Sequence, residues 1–198
     1  YFYFEIILIA RFTFLDYTVN VYNMTKIFIF FFIASVITVF SGRFLLKFLK
    51  YDFKKNFLSK SEQGFFGLIL LSFICLLINF FYKIDEIIAS VILLIPISQI
   101  VIESKSMTKK TFTSILYHSI IVAIISTLLI SFDNVNRPDA GAYHLPYTKI
   151  INDFKIFIGI TTLNPLFGVT SIFQYTSAIY NNFIFKDVGI TIPMALLS

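Results

Sequence analysis

Residues 64–82 read GFFGLILLSFICLLINFFY, a run without a charged side chain. An α-helix rises 1.5 Å per residue, so about 20 mostly apolar residues cross the hydrocarbon core of a bilayer. Three other stretches have the same character: residues 26–46, 86–102 and 111–132. None alternates between apolar and polar residues as the strands of a membrane β-barrel do. The sequence therefore predicts an all-α fold, a polytopic bundle of transmembrane helices.

Composition excludes several other classes of protein. Of the 198 residues, 58% are hydrophobic and 14% are charged, whereas a soluble domain carries about a quarter charged residues. This balance excludes a disordered chain, a collagen-like repeat and an ordinary soluble enzyme. The single cysteine, Cys75, forms no internal disulfide. The net charge of +5 indicates no nucleic-acid partner, because the positions of basic residues in a membrane protein report its topology.

Basic residues concentrate on one predicted side of the membrane. The segments that follow the first and third spans hold nine of them: Arg43, Lys47, Lys50, Lys54, Lys55, Lys60, Lys105, Lys109 and Lys110. The opposite side holds four: Lys83, Arg137, Lys149 and Lys155. Because positive residues favour the cytoplasmic side, the loop of residues 133–162 is predicted to be extracytoplasmic.

The two ends of the chain leave alternatives open. Arg11 and Asp16 interrupt the apolar run of residues 1–25. This segment is the end of an earlier span, upstream sequence before Met24, or a signal peptide that lacks the usual basic n-region and small-residue cleavage site. Residues 163–185 are apolar but include polar side chains: Thr170, Ser171, Gln174, Thr176, Ser177, Asn181 and Asn182. They predict either an interfacial helix or a span that faces the protein interior. Residues 163–198 are thus predicted to hold this helix and, from about Val188, the start of a further span. We expect the chain to be a fragment of a longer protein.

The loop of residues 133–162 carries the side chains suited to chemistry. Residues 133–157 read DNVNRPDAGAYHLPYTKIINDFKIF and place acidic, basic, His and Tyr residues beside apolar ones. From Leu145 the apolar residues recur at helical spacing: Ile150, Ile151, Phe154 and Phe157. The pattern predicts a short amphipathic helix on the outer membrane face, with Asp139 and His144 just before it.

Such a loop is either a solvated connector or a site at the bilayer surface. A lipid-phosphate sugar donor places its scissile bond at this level, and its leaving phosphate is stable without a general acid. One carboxylate then suffices, as a base on the acceptor hydroxyl. The groups available to hold the phosphate are Arg137, His144 and Lys149. Asp139 and His144 supply two metal ligands at most, so no metal site or cofactor is assigned and the use of a divalent ion is left open.

Few polar side chains lie within the predicted spans. His118 lies about two turns into the fourth span, where it is either a functional ionisable group or a neutral residue that links helices. Asn79 and Gln99 are typical of polar side chains that join helices in a bundle. Gly64 and Gly67 lack the four-residue spacing of the helix-dimer motif, so no role is predicted for them.

The string DAGAYHLPYTKIINDFKI, residues 139–156, resembles the outer loop of a family of poorly characterised bacterial multi-span membrane proteins. In that family an Asp, a small residue, a Gly and an apolar residue precede Tyr-His-Leu and a lysine-containing helix. The stretch LNPLFGVTS, residues 163–171, resembles the continuation. That family is in turn similar to the GT-C class of glycosyltransferases, which use polyprenyl-phosphate sugars. The resemblance implies Asp139 as the catalytic carboxylate, with His144 and Tyr143 close by.

The same resemblance implies an integral membrane glycosyltransferase in a bacterial inner (plasma) membrane. Its partners would be membrane lipid, a lipid-linked sugar donor and a glycan acceptor, and the substrate-binding residues would be His144, Tyr143, Arg137 and Lys149. Three alternatives stay open: a transporter or flippase of lipid-linked glycans, a polymerase of them, and a non-enzymatic membrane subunit. A transporter requires charges or broken helices near the bilayer midplane.

Overall fold

The computed structural model describes the backbone of residues 2–53, 58–132, 144–156, 158–163, 165–169, 171–186 and 188–197. Within these ranges all regular structure is helical: α1 (Phe2–Phe48), α2 (Lys60–Asn79), α3 (Glu86–Ser106), α4 (Lys109–Phe132), α5 (Leu145–Asp153), α6 (Ile160–Leu163), a 3-10 helix (Pro165–Val169), α7 (Phe173–Tyr180) and α8 (Val188–Leu197). The predicted all-α fold, with a short helix in the loop after the fourth span, is confirmed.

Four helical segments are long and apolar enough to cross a membrane. They are Asn23–Phe48 within α1, Lys60–Asn79, Glu86–Lys105 and Lys109–Ile130, and they overlap the four stretches predicted from the sequence. α1 begins at Phe2 and continues without a break into the first of these segments. The N-terminal residues from Phe2 onward, for which the sequence left alternatives open, are therefore helical.

Polar caps determine where α2 and α3 begin. The Ser59 hydroxyl accepts a hydrogen bond from the Glu62 N–H at 3.2 Å, and the Glu62 carboxylate accepts one from the Ser59 N–H at 2.7 Å. This reciprocal capping box satisfies donors that the first turn would otherwise leave unpaired. The Asp85 carboxylate accepts from the Ile88 N–H at 3.0 Å at the start of α3.

The central helix α1 packs against α2, α3, α4 and α8. Its backbone touches that of α2: a Cβ atom on Gly42 would lie 1.7 Å from the Gln63 carbonyl oxygen, and one on Gly67 would lie 1.8 Å from the Thr38 carbonyl oxygen. Only glycine permits so close an approach of two helices. The expectation that Gly67 has no role is wrong, because its partner glycine lies on another helix.

Residues 163–185 form neither one interfacial helix nor one continuous span. α6 and the 3-10 helix precede the short α7, whose residues from Gln174 to Tyr180 are all buried. The chain then turns at Asn182, whose side-chain oxygen accepts from the N–H groups of Ile184 and Phe185 at 2.9 and 3.2 Å. α8 packs against α7. The polar residues Gln174, Thr176 and Ser177 therefore face the protein interior, in a helix of about two turns.

Candidate functional site

The helix predicted in the loop is α5, and it is docked on the bundle. Thr148 and Ile151 are buried, and the Ile84 N–H, in the turn between α2 and α3, donates to the Ile151 carbonyl oxygen at 3.0 Å. α5 ends at Asp153, and Phe154 follows in extended backbone. Phe154 was predicted to lie on the helix. The helix is thus one turn shorter than the apolar spacing indicated.

Three asparagine side chains fasten α5 to its neighbours. Asn79, at the end of α2 and 1% exposed, donates to the Phe154 carbonyl oxygen at 3.1 Å. Asn152 donates to the Ala178 carbonyl oxygen in α7 at 3.0 Å, and its own side-chain oxygen accepts from Asn181 at 2.9 Å. A solvated connector needs no such set of contacts. This part of the loop is therefore a rigid component of the bundle.

His144 directly precedes α5 and is held by α7. Its Nδ1 lies 2.7 Å from Nε2 of Gln174, a side chain that is 6% exposed. The two side chains form a hydrogen bond in which the role of Nδ1 is set by the tautomer of His144. Within the described part of the chain, Gln174 Oε1 is buried without a hydrogen-bond partner.

The structure does not bring Lys149 to His144. Lys149 lies on the exposed face of α5, with its Nζ 3.1 Å from Oδ2 of Asp153 and 77% of its side chain exposed. Five residues along a helix correspond to a rotation of about 140°. The two predicted phosphate-binding residues therefore point to different sides of α5.

The other predicted site residues, Arg137, Asp139 and Tyr143, lie outside the described residues. Their roles stay predictions, as does a pairing of Asp139 with His144. Among the residues that the structure does describe, no group of three His, Cys, Asp or Glu side chains could hold a metal ion.

Hydroxyl groups join α7 to the helices beside it. The hydroxyls of Ser72 in α2 and Thr176 in α7 form a hydrogen bond, and both side chains are fully buried. The Ser177 hydroxyl donates to the Ile190 carbonyl oxygen in α8 at 2.9 Å. Burial raises the pKa of Tyr175, and a hydrogen bond with Tyr147 raises this pKa further, so the Tyr175 hydroxyl stays neutral. These contacts stabilise the position of α7.

His118 lines a cavity of about 500 Å³ between α1, α2, α4 and α8. Hydroxyl groups and one carboxylate lie in the same wall: Ser35, Thr38, Ser61 and Glu62. The sequence singled out His118 but contained no sign of the cavity, because the cavity is formed by four helices distant in sequence.

A buried charge cluster joins α1, α2 and α3, and the sequence analysis missed it. Arg43 Nε and Lys47 Nζ lie 3.0 and 2.9 Å from the two carboxylate oxygens of Glu103. Arg43 also donates to Gln63 Oε1 at 3.3 Å. Arg43 and Lys47 were interpreted only as markers of topology. A signal for this cluster was present in the sequence. Glu103 lies near the end of the third span, and Arg43 and Lys47 lie near the end of the first span on the same side of the membrane.

Four membrane-spanning segments and polar side chains buried between them define the class: this is a multi-pass helical membrane protein. Within that class, the chain belongs to the family described as "Domain of unknown function (DUF8201)", whose profile matches residues 24–197. No curated protein and no solved structure matches the chain. The membership agrees with the predicted resemblance to a poorly characterised family, while the similarity to glycosyltransferases stays a prediction.

Proposed function

We propose that the protein is an integral membrane glycosyltransferase of a bacterial inner membrane. It takes a sugar from a polyprenyl-phosphate donor and gives it to an envelope glycan or lipid at the extracytoplasmic face. The observation that carries the proposal is the anchoring of His144 by the buried Gln174, at the start of a helix that is itself fastened to α2 and α7. Preorganised sites rest on rigid elements of this kind.

The proposed reaction needs one base and one phosphate site. Asp139 accepts the proton of the acceptor hydroxyl, whose oxygen attacks the anomeric carbon of the donor sugar. The bond between that carbon and the donor phosphate oxygen breaks, and its electron pair leaves with the polyprenyl phosphate. His144, Arg137 and Tyr143 contact the phosphate, while Lys149 contributes positive charge from another side of α5.

The test compares Asp139→Asn with Asp153→Asn in the full chain, reconstituted in vesicles. The probes are short-chain polyprenyl-phosphate hexoses, and the release of polyprenyl phosphate is measured. We expect Asp139→Asn to lower the rate by about 100-fold or more. Asp153 forms an ion pair only at the exposed surface, so its variant should stay close to wild type. Equal rates for wild type and Asp139→Asn would exclude Asp139 as the base.

Two observations favour a second candidate function, transport of a lipid-linked glycan. α7 and α8 are short helices joined by a turn and packed against long ones, and transporters build binding sites from broken helices. His118 also lines a cavity between the membrane-spanning helices. The transporter predicts that His118→Ala abolishes the flux of a fluorescent lipid-linked glycan across a vesicle while Asp139→Asn leaves it unchanged. If the protein is instead a glycosyltransferase, Asp139→Asn should abolish sugar transfer and His118→Ala should leave it unchanged.

A further inference from the structure

The cavity between α1, α2, α4 and α8 has polar groups along its whole depth. Ser61 and Glu62 line it from the first turn of α2, where the second membrane-spanning segment begins. His118 lies about 14 Å along α4 from the start of that helix, at the same end of the bundle because α3 crosses back between α2 and α4. Ser35 lies in the same wall, at the middle of the segment Asn23–Phe48. Polar lining therefore extends from one end of the bundle to the middle of the membrane.

The cavity is open to solvent at the end where α2 begins. Ser61 and Glu62 are both exposed, and the Glu62 carboxylate accepts hydrogen bonds from the N–H and the hydroxyl of Ser59, each at 2.7 Å. By contrast, Ser35 and Thr38 are each 3% exposed. The cavity is thus entered from the end of the bundle and is enclosed by α1 at its depth.

His118 has an unsatisfied ring in this cavity. Among the described residues, none forms a hydrogen bond with its imidazole, so no described contact supports the alternative in which His118 links helices. One ring nitrogen of a neutral imidazole donates and the other accepts, and both need partners away from bulk water. Water fits the site, because a volume of about 500 Å³ holds several molecules of about 30 Å³ each.

The charged groups near His118 come from α2. Lys60 is half-buried and interacts electrostatically with the ring, and Arg43 adds positive potential at Lys60. Glu62 is the charged residue of the cavity wall, to which α1, α4 and α8 contribute uncharged side chains and His118. The wall therefore attracts a proton and gives an anion no positive partner.

We propose that this cavity is a water-filled vestibule that gives His118 access to protons from the side of the membrane where α2 begins. A hydronium ion in the vestibule transfers a proton to a ring nitrogen and leaves as water, and the imidazolium returns the proton to water by the reverse step. Hydroxyl groups of Ser35, Thr38 and Ser61 hold the water, since each can donate and accept. Ionisable residues within membrane spans commonly form such proton relays. The inference does not depend on the proposed sugar transfer, which involves His144 and the residues before it.

The first test measures whether water reaches the deep end of the cavity. Cys75, the single cysteine, is replaced by alanine, and Ser35→Cys then places one thiol in the wall. Ser41→Cys is the matched control, because Ser41 lies on the same helix, is 2% exposed and is not among the lining residues. Each variant of the full chain is reconstituted in vesicles, and the rate of its modification by a charged methanethiosulfonate, applied to both sides of the membrane, is measured.

A thiol reacts as the thiolate, and dry apolar surroundings keep it protonated. We expect Ser35→Cys to be modified at least about tenfold faster than Ser41→Cys, although Ser41 lies nearer to the end of α1. Ser61→Trp, which narrows the entrance, should slow the modification of Ser35→Cys. The proposal is overturned if Ser35→Cys reacts no faster than Ser41→Cys, or if Ser61→Trp leaves its rate unchanged.

A second measurement needs no substitution in the cavity. The chain contains two histidines, and their nitrogen-15 ring signals are followed by NMR in the reconstituted protein, with His144→Gln used to assign the signal of His118. The His118 ring should change from the neutral to the protonated form as the pH falls from about 8 to 5, the range in which histidine titrates in contact with water. A ring sealed from water would stay neutral throughout, and this result would also overturn the proposal.

Discussion

Replacing Gly67 by alanine should force α1 and α2 apart. The added Cβ would lie 1.8 Å from the Thr38 carbonyl oxygen and 2.9 Å from the Gly42 nitrogen. Both are backbone atoms of the central helix, so no change of side-chain rotamer relieves the overlap. Carbon–oxygen contacts between packed helices are about 3.3–3.6 Å, and the two backbones must therefore separate locally by on the order of 1.5 Å.

The magnitude follows from two opposing effects. Overpacking of a well-packed contact costs about 1–3 kcal/mol and occasionally more, and a clash between two backbones lies at the upper end. Alanine inside a helix returns up to about 1 kcal/mol relative to glycine. We therefore expect Gly67→Ala to lower the free energy of unfolding by about 2 kcal/mol.

Gly64→Ala is the matched control on the same helix. Its Cβ would meet Val39 Cγ2 at 3.6 Å and Thr38 Oγ1 at 3.9 Å, which are ordinary van der Waals distances. Only the helix-propensity gain then remains, so Gly64→Ala should be neutral or stabilising by up to about 1 kcal/mol. The two variants are thus expected to differ in sign.

The assay uses Cys75, the single cysteine of the chain, which is fully buried in the core. Its labelling by a thiol-reactive fluorophore is followed while sodium dodecyl sulfate is titrated into mixed micelles. Gly67→Ala should be labelled at a lower detergent fraction than wild type, and Gly64→Ala at the same or a higher one. If the two variants became labelled at the same fraction, the helix contact at Gly67 would not be the one described.

Two further predictions concern buried polar contacts. Glu103→Ala leaves Arg43 buried without its carboxylate partner and should lower the free energy of unfolding by about 3–5 kcal/mol in the same labelling assay. Asp153→Ala, which removes an exposed ion pair, should change it by less than about 1 kcal/mol, and equal effects would contradict the burial of the cluster. Asn152→Ala should detach α5 and accelerate amide hydrogen exchange in residues 145–153, whereas the exposed Lys149→Ala should not. Unchanged exchange in Asn152→Ala would show that other contacts hold the helix.

The elements of the fold were predictable where the signal is local. The four spans follow from uninterrupted apolar runs, and α5 follows from the apolar spacing after Leu145. The division of residues 163–185 was not predictable, because the turn at Asn182 depends on a side chain that caps its own backbone. The apolar pattern continues through that turn without a change.

The candidate site was predictable only in part. The order Tyr-His-Leu drew attention to His144, but its partner Gln174 lies 30 residues away in α7. The interpretation of Asn79 as a residue that joins helices agrees with its hydrogen bonds to the end of α5. By contrast, Lys149 has the right charge for a phosphate site but lies on another side of α5, which a list of residue types does not show.

The sequence by itself determined that this is a helical membrane protein. A helix satisfies its own backbone hydrogen bonds within one segment, so about 20 apolar residues are enough to specify a span without any knowledge of its neighbours. The tertiary structure decided which polar groups meet: His144 with Gln174, and Arg43 with Glu103 across 60 residues of chain. It also decided that Gly42 and Gly67 form a helix crossing. These pairings depend on the packing of distant segments, and local periodicity carries no information about which segments those are.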